Sequence, residues 1–267
     1  MTLSQNLKIF LLVSIPLILL ALIAIWGSAV LAPSIVRQVS LSNVPYVKVS
    51  SINVTSTGVY IKLAIIKQGG LDFTPVGGWV EVVDTGQYSN VSNGLFAVLP
   101  LTPQYIGLSN VGVKGMIYGY LNGSKAYIAF FDIVPIHVVN SISITNFTYV
   151  NCTLTVYLNT SLVVPAIINY AVNVSLFTTY THQYVFSTVN HVFDVGLSIP
   201  PGNHVVKVEL PIKPGGMGYT YIYGCAVEPG VYYTLYMPTS ITYVYPTGNV
   251  TEFTLFIRII KIEGGSS

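Results

Sequence analysis

Two cysteines, four histidines, nine acids and a scatter of N-glycosylation sequons are the residues of this 267-residue chain whose chemistry could define a function. Cys152 and Cys225 are the only cysteines. In an exported chain such a pair persists as a disulfide. Cys152 alternates with Leu154 and Val156, so a bond to Cys225 across a sandwich is the first expectation, with two buried thiols as the alternative. A metal pair is disfavoured, because neither cysteine has another Cys or a His at ligand spacing. His137, His182, His191 and His204 form no H-x-H or H-x-x-x-H pair. The segment AVEPGVYYTLYM after Cys225 contains Met237 but none of the histidine that a blue-copper loop requires.

The acids Asp72, Glu81, Asp84, Asp132, Asp194, Glu209, Glu228, Glu252 and Glu263 are dispersed. Hydrolysis by paired carboxylates needs two acids converging in a cleft. Only Glu81 and Asp84 lie close together, one in the strand WVEVVD and the other at its exit. The chain has no G-x-S-x-G elbow, P-loop or dinucleotide fingerprint. The sequence therefore assigns no catalytic residue, metal ligand or cofactor, and a non-enzyme is expected. N-x-S/T sequons occur at Asn53, Asn90, Asn122, Asn146, Asn151, Asn159, Asn173 and Asn249. They are glycan acceptors if the chain is exported. The segment from Gly218 to Pro238 carries six tyrosines, which offer large amphipathic contact area, either as an interface or as the lining of a sandwich face.

Composition decides what kind of scaffold holds these groups. Charged residues make up 7% and hydrophobic residues 52%, with 20 tyrosines, so the surface is not a Lys/Glu coat. Such hydrophobicity excludes a disordered chain. Beyond residue 36 the apolar residues are broken up by Thr, Ser, Asn, Gly and Pro, which excludes a polytopic membrane protein. The net charge is +2 with no basic stripe, so nucleic acid is not an expected partner.

No charge interrupts the chain between Lys8 and Arg37, and Ile9 to Ala32 is long and apolar enough to span a bilayer, with Trp26 near one interface. A cleaved signal peptide is the alternative, given the small residues Gly27, Ala29 and Ala32, although Pro33 disfavours cleavage after Ala32. In both cases the positive end stays inside and the bulk of the chain is exported.

From residue 45 onward the apolar period is two, seen in GVYIKLAII (58–66), KAYIAFF (125–131), HVVKVELPI (204–212) and VTEFTLFIRIIK (250–261). In the last, Phe253, Leu255, Ile257 and Ile259 face one way and Glu252, Thr254 and Arg258 the other. Gly- and Pro-rich turns punctuate the runs, and no helical period follows residue 36. A gapless offset of 93 residues lays Asn53 on Asn146 and Val59, Ile61, Leu63 and Ile65 on Cys152, Leu154, Val156 and Leu158. Such an internal repeat at sandwich spacing predicts an all-β fold of two tandem Ig-like domains. The expected division is an anchor or signal segment at 1–36 and domains at 37–138 and 139–267.

CTLTVYLN, NYAVNVSLF (169–177) and FDVGLSIPPGNHVVKVELPI (193–212) together resemble the LEA14/WHy family, apart from the Asn-Pro usual after the first strand. That resemblance implies a fold and no catalytic residue. Low charge, many tyrosines and many sequons also resemble the exported proteins of Sulfolobus-type thermoacidophilic archaea. In strong acid, carboxylates are neutral, so hydroxyls, amides and glycans must carry solubility. The expected role is that of an anchored, glycosylated cell-envelope protein that binds neighbouring envelope or membrane proteins, with self-association among the interactions its surface allows. An accessory subunit of a membrane complex and a pilin-like filament subunit are the alternatives. For a pilin, Leu7-Lys8-Ile9 departs from the usual processing site.

Overall fold

The computed structural model describes residues 44–262 apart from 93, 214–218, 223 and 226. The proposed membrane segment from Ile9 to Ala32 lies outside the described residues. Among those described, no helix is long and apolar enough to cross a membrane.

The described chain is all-β apart from one 3-10 turn at Pro103–Tyr105, and all strand pairings are antiparallel. Seven strands come first: β1 (Tyr46–Thr55), β2 (Gly58–Ile66), β3 (Phe73–Val82), β4 (Gln87–Val91), β5 (Phe96–Leu99), β6 (Asn110–Leu121) and β7 (Ser124–Pro135). They form two sheets, β1-β2-β5 and β4-β3-β6-β7. Ten follow: β8 (Ser141–Val150), β9 (Thr153–Leu162), β10 (Ala166–Val172), β11 (Ser175–Thr178), β12 (Tyr184–Thr188), β13 (Val192–Ile199), β14 (Gly202–Pro211), β15 (Tyr219–Ile222), β16 (Tyr232–Tyr245) and β17 (Gly248–Lys261). Their sheets are β14-β9-β8 and a seven-stranded one in which β16 pairs with β17 on one side and with β10 and β11 on the other.

Strands of 46–135 pair only among themselves, as do those of 141–261. The second group repeats the plan of the first: a three-stranded sheet made of the opening hairpin plus one later strand, and a larger sheet closed by the last hairpin. Buried residues of both groups, with Ile136 and Val138 of the segment between them, join in one apolar cluster.

Alternation builds these sheets. Val59, Ile61 and Leu63 of β2 are buried, as are Leu154, Val156 and Leu158 of β9. Pro238 explains why the strand beside β16 is split. It has no N–H to donate, and the neighbouring strand breaks opposite it: β10 ends its pairing at Ala171 against Thr239, and β11 starts at Ser175 against Tyr236. Asn173, with φ of 49°, makes the bend. The run 169–177, which reads as one strand in the sequence, is therefore two.

The stretch around Cys152 is also corrected. Residues 145–158 read as a single strand, but they form the β8–β9 hairpin, closed by Val150 opposite Thr153. Its turn residues Asn151 and Cys152 have φ of 50° and 58°, the positive pair that a type I′ turn requires. Cys152 therefore does not share the inward face of Leu154. The first hairpin closes with Thr55 opposite Gly58. Matching the two hairpins puts Val59, Ile61 and Leu63 on Leu154, Val156 and Leu158, so the structural repeat is two residues longer than the gapless offset.

Buried tyrosines lock the crossing into the last hairpin of each group. Tyr233, at the start of β16, accepts a 2.9 Å hydrogen bond from the Glu228 N–H. A tyrosine hydroxyl bonded to backbone a few residues upstream is also a feature of Ig-like sandwiches. Tyr105 is fully buried ahead of β6 and donates to Gln87 Oε1 at 2.8 Å. Burial raises its pKa.

Candidate protein-binding surface

Two last-hairpin strands expose apolar stripes: β7 with Tyr127, Phe131 and Ile133, and β17, whose stripe is the longer run of large residues. The odd-numbered residues of β17 share a face with the even-numbered residues of β16, pairing Phe253 with Ser240, Leu255 with Pro238, Ile257 with Tyr236 and Ile259 with Thr234. The opposite face of β16 carries Tyr233, Leu235, Met237, Ile241 and Tyr243 into the core. The stripe therefore lies on the solvent side of the seven-stranded sheet. Phe253, Leu255, Ile257 and Ile259 are 59%, 50%, 51% and 53% exposed, while the neighbouring inner-face Phe256 is buried. The sequence split of β17 into two faces holds, but it is the apolar set that meets water.

Aromatic rings extend this face across the sheet. Tyr170 of β10 meets Phe253 at 6.5 Å between ring centroids. Phe177 of β11 stacks on Tyr236 at 5.4 Å and receives the edge of Tyr184 at 5.6 Å. Farther along, Lys261 Nζ lies 5.7 Å from the Tyr232 ring centroid, and Tyr180 packs edge-on against the same ring. Tyr180, Tyr184, Tyr232, Gln183 and Glu228 line a cleft of about 370 Å³ beside these rings. The tyrosine-rich segment thus divides: Tyr233 is core, and Tyr232 and Tyr236 belong to the outer face.

Below the stripe, the Glu252 carboxylate lies against Tyr243 at the margin of the core. Burial first, then this negative charge and hydrogen bond, push the Tyr243 pKa well up. Burial also raises Tyr245, whose hydroxyl accepts a 3.0 Å bond from Asn140 Nδ2.

The disulfide is present: Cys152 is bonded to Cys225, joining the β8–β9 turn to the segment after β15. Backbone bonds reinforce it, from Cys152 N–H to Cys225 O at 3.2 Å and from Ile212 N–H to Cys152 O at 2.7 Å. The histidines serve separate local contacts. His182 packs on Phe177, His191 lies edge-on to Phe193, and His204 Nε2 is 3.0 Å from the Pro201 carbonyl; His137 sits beyond the end of β7.

Most of the described acids are likewise engaged apart from one another. Asp72 pairs with Lys67, Glu81 with Lys114 at 3.0 Å, and Glu209 with Lys207 at 2.6 Å. Asp84 accepts the Gly112 N–H and Asp132 the Val49 N–H. Among the described residues no cluster of His, Cys, Asp or Glu is arranged to hold a metal. Glu263 lies outside them.

All eight sequon asparagines are exposed. Asn53 is on β1, Asn90 on β4, Asn146 on β8, Asn159 on β9 and Asn249 on β17. Asn122, Asn151 and Asn173 occupy bends with positive φ. Asn146, Asn151 and Asn159 all belong to the β8–β9 hairpin, in the layer opposite the apolar stripe.

No family model and no curated protein matches this sequence. Among solved structures, the chain is similar to the chicken interferon gamma receptor alpha chain, at 7% identity and a TM-score of 0.27, over 82% of this chain and 98% of that one. It is also similar to a DUF4785 family protein of Legionella pneumophila, at 10% identity and a TM-score of 0.25, over 81% of this chain and 56% of that one.

Proposed function

We propose that this chain is a non-enzymatic cell-envelope protein, held in the membrane by residues 9–32, whose two glycosylated Ig-like domains, 37–138 and 139–267, bind neighbouring proteins outside the cell. The observation that carries this reading is the outer face of β17: four consecutive outward positions are large and apolar, each at least half exposed, and the rings of Tyr170, Tyr236 and Phe177 continue the surface. Contiguous exposed apolar surface on a soluble domain marks an interaction site. Aromatic and aliphatic anchors of this kind dominate protein interfaces. Separation of the remaining groups is consistent with a binding role, since most of the described histidines and acids serve separate local contacts.

Sugars on Asn146, Asn151 and Asn159 would cover the β8–β9 layer, whereas the β17 face carries one sequon, Asn249, at the end of the stripe. The source we favour is a thermoacidophilic archaeon, where a surface nearly free of charge keeps its character in acid. Mass spectrometry of the native protein extracted from membranes tests the reading. It should give an N-terminus at Met1 or Thr2, hexose-bearing peptides at the sequons, and neighbours crosslinked on intact cells. A soluble native protein without sugars or neighbours would refute it.

A further inference from the structure

The free edge of β17 is built to pair with itself. β17 runs 14 residues in unbroken register with β16, and among the described residues no other strand bonds to its far side, although β8 of the other sheet approaches it. The direction of its backbone groups is fixed by Ile262, which donates to Val231 O and accepts from the Gly230 N–H on the β16 side. Backbone groups alternate in direction along an antiparallel strand. Thr251, Phe253, Leu255, Ile257 and Ile259 therefore turn their N–H and C=O groups to the open edge.

Natural sheets protect such edges with bulges, prolines, central lysines or inward charges. The corresponding last strand of the first group, β7, has that protection: Asp132 points inward and accepts the Val49 N–H at 3.1 Å, beside a bulge in β1 between Val49 and Ser51. Between Asn249 and Ile260, β17 has neither a proline nor a lysine, and its pairing has no bulge. Its only charged residues there are Glu252 and Arg258, on the inner face with Phe256; they are inward charges like Asp132, but of opposite sign to each other, so a second strand in the right register can pair them. Both are exposed, and among the described residues neither forms an ion pair.

These two charges select a register. We infer that two copies of this chain pair β17 to β17, antiparallel, with Leu255 on the two-fold axis. Each Glu252 then faces the partner's Arg258, and the reverse, so two opposite-charge cross-strand pairs form by symmetry. Phe253 faces the partner's Ile257, and Thr251 faces the partner's Ile259. The open N–H and C=O groups of both edges are satisfied, and the stripes merge into one apolar face across the axis. Shifting the axis to Phe253 or Ile257 loses both charge pairs. This inference rests on reading β17 as a protein interface and names the partner as a second copy.

The test uses the full-length chain in detergent micelles. Directly opposed hydrogen-bonded residues lie about 5.5 Å apart at Cα, within disulfide range, so oxidised Leu255→Cys should run as a covalent dimer. Thr251→Cys alone should give no covalent dimer, and a mixture of Thr251→Cys with Ile259→Cys chains should give the mixed covalent dimer. Arg258→Glu sets like charges opposite each other twice and should weaken the dimer about tenfold or more. The double exchange Glu252→Arg with Arg258→Glu should restore it, which separates lost pairing from lost folding. Equal crosslinking at Thr251 and Leu255, or no rescue by the double exchange, overturns the register. A benzophenone attached at Leu255→Cys distinguishes the two levels: adducts only with other proteins sink self-pairing and leave the interface standing, whereas no adduct at all sinks both.

Discussion

Removing the disulfide gives a stability change that follows from the chain path. Cys152 and Cys225 are 73 residues apart, and both lie in the second strand group. By the chain-entropy relation, opening a loop of that length frees the unfolded chain by about 4 kcal/mol. Cys152→Ser with Cys225→Ser should therefore destabilise the second group by about that amount. For a domain of its size the melting temperature should fall by on the order of 15 °C. The loss falls on one group only if 37–138 and 139–267 unfold separately, and the tryptophans report this. Trp79 lies in β3, and the only other tryptophan is Trp26. In a Trp26→Phe background, indole fluorescence follows the first group and tyrosine near-UV dichroism follows both. The expected outcome is an early dichroic transition in the double serine variant with the Trp79 transition unmoved. A fall below about 1 kcal/mol refutes the loop-closure argument. An equal shift of the Trp79 transition refutes the two-domain division and makes the shared apolar cluster a single cooperative core.

Three further outcomes follow from the packing. Tyr233→Phe leaves the Glu228 N–H without its acceptor and should destabilise by about 1–3 kcal/mol in urea titration. A Cβ on Gly115 would sit 2.3 Å from the Trp79 carbonyl oxygen and 2.8 Å from the Phe130 ring, so Gly115→Ala should destabilise the first group by about 1–3 kcal/mol through overcrowding, seen as an earlier Trp79 transition. Tyr105, Tyr243 and Tyr245 have pKa values raised in the folded state. Their stabilising contribution is thus complete below the unfolded value, about pH 10, and is lost as pH rises through the folded values. Absorbance at 295 nm should show late-titrating tyrosines released together with alkaline unfolding, whereas in acid the loss of three exposed ion pairs should leave melting nearly unchanged.

Strand periodicity made the all-β class legible, because alternation such as Val59, Ile61 and Leu63 survives directly as burial. The repeat was legible as well, though misregistered. A gapless offset cannot see that Asn151-Cys152 is a turn, since its positive φ values leave no mark in a Thr- and Val-rich run. Pro238 was visible in the sequence, but its effect on the neighbouring strand depends on a pairing between residues more than sixty positions apart. The direction of the β17 stripe was not legible at all. Period two gives two faces, and which of them meets the core depends on β16, whose odd residues already fill that core. The habit of placing the apolar face inward fails at β17, where the exposed face is the candidate for function.

The claim that the β17 face binds protein is tested most directly by photo-crosslinking on intact cells. A benzophenone side chain at Ile257, on the stripe, is compared with one at Val205, which is 72% exposed in the opposite layer. The account predicts discrete protein adducts from Ile257 and little above background from Val205. Equal labelling from both positions, or none from Ile257, would contradict it.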